Sequence, residues 1–246
     1  MNHFLNHFRW AALALLAPCA AFANATDDAN AGGAAVIGNV GVSIDVVGNS
    51  SLQDHTASSH AIDMGFSYAK ARRKQNREAG DQPVVFGGTV FPGAAGDIEW
   101  TSNIQLAHIG YRPRFWFGQS QFALEGVIGA GWAGLGLKGE AGGLSATERM
   151  SNAGGVIGVG GIWRFASATA LQVRFLQFIS GDKEGVTSAS RGDVSVAHAL
   201  AKNIQIRGGL GYLTAYSARE NADDHIIKSP VRAGGVGLLL GVDLVF

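Results

Sequence analysis

Few side chains in this 246-residue chain have the spacing that chemistry requires. Gly129-Ala-Gly131-Trp-Ala-Gly134 matches G-x-G-x-x-G. A dinucleotide site needs that turn to open a helix, whose N-terminus meets the pyrophosphate. Here Leu135-Gly-Leu137 continues a strand, so the glycines read as packing residues. Ser67-Tyr-Ala-Lys70 matches S-x-x-K, but no K-T-G follows and the segment reads as a strand, which marks a chance match. Asp54, His55 and His60, and His225 after Asp223-Asp224, lack the tight spacing of a zinc site. The expectation is no metal and no cofactor. His108 and His198 are candidate bases, yet neither has a Ser on its own strand face, so no catalytic residue is assigned. Arg191-Gly192-Asp193 falls in an expected outer loop, where a chance match in a Gly-rich chain outweighs mimicry of an integrin ligand. The basic run Arg72-Arg73-Lys74 with Arg77 reads equally as a site for phosphate groups or as a solvated hairpin tip.

Composition narrows the classes of function. Nineteen Lys+Arg balance nineteen Asp+Glu, which argues against a nucleic-acid binder with its basic footprint. Charged residues are only 15%, and 36 residues are Gly, about twice the usual share. With 47% hydrophobic residues the chain is not a disordered one. A Gly-rich, charge-poor, apolar chain without long helix-forming runs points to β structure.

Residues 1–23 read as a cleaved signal peptide. His3, His7 and Arg9 open it, Trp10 to Ala23 is apolar, and Ala21-Phe22-Ala23 supplies an A-x-A cleavage site. The run is shorter than the roughly 20 residues a membrane helix needs. Leu16-Ala17-Pro18-Cys19 resembles a bacterial lipobox, with Pro before the Cys as a departure, so lipidation stands as a minor alternative. Cleavage after Ala23 removes the single Cys and with it disulfides and thiol catalysis. Residues 24–35 read as a flexible segment and 36–246 as one exported β domain.

The C-terminal end carries the strongest pattern. Val236, Leu238, Leu240, Val242, Leu244 and Phe246 alternate with Gly237, Leu239, Gly241, Asp243 and Val245, a period-2 strand ending on Phe. Ile204, Ile206 and Leu210 alternate with Gln205, Arg207 and Gly209. Leu171, Val173 and Phe175 alternate with Gln172 and Arg174. Leu124, Ile128 and Trp132 alternate with Glu125, Gly129 and Gly131, and Ile157, Val159, Trp163 and Phe165 oppose Arg164. Strands are expected near 60–72, 98–117, 121–137, 152–165, 170–180, 193–201, 204–216 and 231–246. Short links alternate with long polar ones at 73–97, 138–151, 181–193 and 217–230. A ten-strand alternative adds 36–47 and 83–91. In strand 98–117, Ile104, Leu106 and His108 share one face while Ile109, Tyr111, Phe115 and Phe117 share the other, which calls for a bulge near His108.

Repeated short amphipathic strands with alternating short and long links are the signature of transmembrane barrels. The apolar alternation up to a final aromatic resembles the C-terminal assembly signal of outer-membrane β-barrels. The chain as a whole resembles the small members of that group: the OmpA transmembrane domain, OmpW, the opacity-type proteins and the YfaZ-like proteins. The resemblance implies an all-β, closed antiparallel up-and-down transmembrane β-barrel of eight strands, or ten, in a bacterial outer membrane. It implies as partners the outer-membrane lipids, lipopolysaccharide and the barrel-assembly machinery, which would read Leu240, Val242, Leu244 and Phe246.

Hydrocarbon cannot hydrogen-bond backbone groups, so strands span only in a closed barrel, with side chains alternating between lipid and lumen. Arg112, Arg114, Glu125, Arg164, Arg174, Arg207 and Asp243 are expected to form a lumen charge network near the periplasmic end. Leu135, Leu176, Phe178, Leu213 and Leu239 are expected above it, as an apolar pocket for a small apolar ligand or as residues that pack one another. The leading functional expectation is a non-enzymatic barrel with a structural or surface-interaction role through its outer loops. A narrow channel or pocket for small hydrophobic solutes is the alternative. A lipid-modifying enzyme is third.

Overall fold

A computed structural model describes residues 42–47, 58–117, 121–182, 185–201, 204–217 and 231–245. The expected signal peptide, the segment 24–35, the loop 218–230 and Phe246 lie outside the described residues. In chain order the strands are β1 (Val42–Val47), β2 (Ser58–Gln75), β3 (Val84–Phe86), β4 (Thr89–Phe91), β5 (Ile98–Trp116), β6 (Phe122–Ala141), β7 (Leu144–Ala166), β8 (Thr169–Ile179), β9 (Ser188–Ala201), β10 (Ile204–Ser217) and β11 (Val231–Val245). The only helical turn among the described residues is the 3-10 turn Gly93–Ala95.

The eight long strands form one curled antiparallel up-and-down sheet in the order β2-β5-β6-β7-β8-β9-β10-β11. Among the described residues the two edge strands do not pair with each other. The short β1 is registered against both, antiparallel to β2 with Val42 opposite Phe66, and parallel to β11 with Ile44 opposite Val242. The segment 83–91 of the ten-strand alternative makes a separate hairpin, β3–β4, outside the main sheet. Alternation explains why these residues are strands: one face is turned outward and the other inward, and only a period of two separates them.

Three expectations change. The bulge near His108 is absent: β5 keeps one register with β2 and with β6 throughout. Ile104, Leu106, His108, Arg112 and Arg114 all face inward, and Ile109, Tyr111 and Phe115 outward. Both faces of β5 are apolar because the interior is itself apolar over half of its height. The irregularities fall instead between Arg164 and Ala166 and between Ile204 and Gln205, beside short turns.

The expected loop 138–151 is mostly strand. β6 and β7 run 20 and 23 residues and meet at a two-residue turn, Gly142-Gly143, both at positive φ (55° and 81°). A Cβ is poorly tolerated there, and Gly is the residue such primed turns select. The expected loop 181–193 is also shortened, since β9 begins at Ser188. Arg191-Gly192-Asp193 therefore lies in a strand, with all three residues buried. Its ladder pairs with β8 and β10 hold it there.

The connection 76–97 folds onto the projecting end of the sheet. Phe86 and Phe91 pack on Trp100, with ring centroids 5.0 and 6.4 Å away, and with Ile98, Ala141 and Ala146. Arg77 donates to the carbonyls of Phe91 and Gln82, and Lys74 bridges Asp97 at 2.7 Å.

Candidate functional site

The interior of the sheet is charged toward the end with the short turns. From β2 and β5, Asp63 meets His108 Nε2 at 3.4 Å and Arg112 Nη1 at 3.9 Å. The His108 ring lies over Gly65, where a Cβ would come within 2.3 Å of its Cε1. Gly65 thus makes room for the imidazole beside Asp63. From β6, Glu125 accepts from two arginines. Arg114 Nη2 of β5 lies 3.3 Å from its Oε2, and Arg174 Nε of β8 lies 2.6 Å from its Oε1. On β9, Arg191 Nη2 bridges Asp193 at 3.2 Å. On β7, the Arg164 guanidinium sits 4.4 Å from the centre of the Trp116 ring. Arg207 is buried on β10.

These groups are almost removed from solvent, with Arg112 1% and Glu125 4% exposed. Charges so placed are tolerable only when paired and hydrogen-bonded, and the shared Glu125 carboxylate does this for two cations at once. A cavity of about 10 Å³ lies among Asp63, His108, Glu125, Arg174, Arg191 and Asp193. That is about enough space for one water.

Of the residues expected in the charge network, Arg112, Arg114, Glu125, Arg164, Arg174 and Arg207 are buried on inward-facing positions. Asp243 occupies a register position opposite Gln205 and Asp45, and its side chain lies outside the described residues. Leu135, Leu176, Phe178 and Leu213 belong to one buried cluster with Ile104, Leu106, Met150 and Val156, and Leu239 is buried on β11. Leu240, Val242 and Leu244 lie in β11, opposite Gly208, Ile206 and Ile204.

Sequence reasoning missed Asp63, Arg191 and Asp193 as interior charges. Asp63 alternates with Ile62, Met64 and Phe66, a phase readable in the strand but not used. Arg191 and Asp193 continue inward the phase of Ser195 and Ala197, opposite the exposed Val194 and Val196.

The rejected motifs also find places. Ser67 faces inward and Lys70 outward on β2, so they cannot act together. Ser67 is inward on the same face as Asp63, but its hydroxyl and the His108 Nδ1 have no hydrogen-bond partner among the described residues. His198 faces outward, with Nδ1 2.9 Å from Thr169 Oγ1, and His60 stacks on Tyr111. Among the described residues no group of three His, Cys, Asp or Glu side chains could hold a metal ion. The basic run divides: Arg72 and Lys74 are exposed on the outer face, whereas Arg73 points inward and Arg77 ties down the 76–97 connection.

The outer face is the reverse of the charged end of the interior. Ile128, Leu210 and Leu238 are 63%, 58% and 67% exposed, and every long strand whose side chains are described carries comparable residues. Trp163 stacks on Phe122 and touches Phe165 near the short turns, and Phe115 is exposed at the same end. Comparison with models of known protein families, with characterised proteins and with solved structures gives no match.

Proposed function

We propose that this chain is an integral outer-membrane β-barrel of a diderm bacterium, closed through β1, with a lumen plugged by its own side chains. Its role is structural or interactive, through the connections at the end away from the short turns. The observation that carries the reading is the inversion of polarity across one wall. A soluble protein rarely exposes contiguous apolar patches beyond a few hundred Å², and such a patch marks contact with a membrane or partner. Here an apolar outer belt runs across the sheet while arginines and carboxylates line the inside toward the short-turn end.

Several features support it. On β7 the outward positions from Gly155 to Phe165 span roughly 33 Å of strand, or about 25 Å at a tilt near 40°, the height of a barrel's lipid-facing band. Exposed aromatics gather at the short-turn end, as at a membrane interface. The registration of β1 against both sheet edges supports closure, which is the only way strands can cross hydrocarbon with every backbone group paired. The arginines and carboxylates packed against one another in the interior favour a plug over a solute channel.

Fractionation and planar-bilayer recording test this. The chain should enter the outer membrane as a folded, heat-modifiable species and carry no large steady current. Recovery as a soluble periplasmic protein would overturn the membrane reading, and large steady currents would overturn the plug.

A further inference from the structure

The outer face of the wall changes character at one level. The register row Phe66, Ala107, Trp132, Ala153 is the last with large apolar side chains, and Tyr68, Gln105, Gly134, Ser151 follows it. The next two rows are Lys70, Asn103, Gly136, Arg149 and then Arg72, Thr101, Lys138, Thr147. All of these positions share the outward phase, and Lys70, Arg72 and Arg149 are exposed.

The cations in this region are not equivalent. Lys74 is bridged to Asp97 at 2.7 Å and Lys138 to Glu140 at 2.6 Å. Lys70, Arg72 and Arg149 have no acidic partner among the described residues. They frame a floor of Thr101, Asn103 and Gly136. Lys70 and Arg149 are about 14 Å apart at the backbone, three strand spacings, and Lys70 and Arg72 about 6.6 Å apart along β2. The nearest outward carboxylates, Glu99 and Glu140, stand one row higher, beside Lys74 and Lys138.

We propose that Lys70, Arg72 and Arg149 form a docking site on the outer wall for the phosphorylated headgroup of an outer-leaflet lipid, whose acyl chains lie against the apolar belt below. Two things select that occupant. Charge complementarity calls for an anion, and the apolar belt that ends at Phe66 and Trp132, separated from the patch's lower edge by the one register row of Tyr68, gives the acyl chains a surface on the same wall. Lys70 and Arg149 lie about 13 Å of strand above that last apolar row and Arg72 about 20 Å, less when tilted, and long basic side chains can bend down to the headgroups. Arginine adds paired donors that fit phosphate oxygens. This inference rests on the membrane reading above.

The test uses the full chain refolded in neutral detergent, with retained lipid counted by native mass spectrometry. The probes are diphosphorylated lipid A and the same lipid stripped of its phosphates. Cold electrophoretic mobility and circular dichroism of each sample report folding and insertion independently. The wild type should retain the phosphorylated lipid preferentially. A K70Q/R72Q/R149Q variant should lose about fivefold per cation, on the order of 100-fold in all. A K74Q/K138Q variant, which removes the acid-paired cations, should keep the preference.

A folded wild type with equal retention of the two lipids overturns the site alone, as does a folded triple variant that keeps the preference. Displacement of the lipid by millimolar inorganic phosphate also overturns it, in favour of a free-anion site. A wild type that does not fold in detergent or bilayers overturns the membrane reading and this inference with it.

Discussion

Removing the Glu125 carboxylate probes the interior most sharply. Its two oxygens hold Arg114 at 3.3 Å and Arg174 at 2.6 Å, and all three side chains are buried. Glu125→Ala leaves two guanidiniums in place with their shared counter-charge gone. Breaking a buried pair by deleting one partner costs about 3–5 kcal/mol, because the remaining charge stays desolvated. Glu125→Gln keeps the shape and one acceptor but not the charge. It should cost about 2 kcal/mol, in the range of a charge-assisted hydrogen bond. Pairing Glu125→Ala with Arg174→Met should recover part of the loss, with a coupling of about 2 kcal/mol between the sites. The assay is urea unfolding of the chain in lipid vesicles, followed by tryptophan fluorescence. A loss below about 1 kcal/mol for Glu125→Ala, or strictly additive double-variant costs, would refute the claim that this carboxylate neutralises two buried arginines.

Three further outcomes are expected. Ile128→Arg, at a position 63% exposed, should destabilise the chain by about 2–4 kcal/mol in a bilayer, whereas an ordinary water-exposed site would change by about 0.5 kcal/mol or less; urea unfolding in vesicles separates the two. The Asp97 carboxyl is held below its ordinary value of 3.8, chiefly by the Lys74 hydrogen bond and then by the Arg77 backbone N–H. Its hold on the 76–97 connection is therefore present above pH 3.8 and lost as pH falls through the lower folded-state value. NMR titration should give a midpoint under 3.8 that rises in Lys74→Gln, and an unchanged midpoint would show that the ammonium is not the cause. Deleting Phe246 should reduce the heat-modifiable species in the outer membrane, and undiminished insertion would count against the terminal strand as assembly signal.

Much of this architecture is legible in the sequence where one face is apolar and the other is not. β6 and β7 read correctly from Leu124, Ile128, Ile157 and Trp163 because their opposite faces carry Glu125, Arg164 and glycines. The pattern fails where that contrast disappears. On β5 both faces are apolar, since Ile104 and Leu106 join the interior cluster, so continuous alternation looked like a phase shift. Beyond the apolar belt the outward positions of β6 and β7 turn polar while the inward ones are largely small, as at Gly139, Ala141 and Ala146, so 138–151 looked like a loop although its ladder continues to Ala141 opposite Leu144. Arg191 and Asp193 looked like loop residues for the same reason, being charges whose partners come from folding and not from neighbours in sequence. The pairing of Glu125 with Arg114 and Arg174 spans four strands, β5 to β8, and depends on registers that no local pattern encodes.

The central claim is that the wall is apolar outward, against lipid, and packed inward. Its tryptophans report on this directly: Trp132 and Trp163 face outward, 38% and 40% exposed, and Trp116 faces inward beneath Arg164, 5% exposed. Variants keeping one of these tryptophans, each refolded into vesicles of phospholipid with brominated acyl chains, give the measurement. The account predicts strong quenching of Trp132 and Trp163 and little of Trp116. Equal quenching of all three, or none of the outward pair, would contradict it.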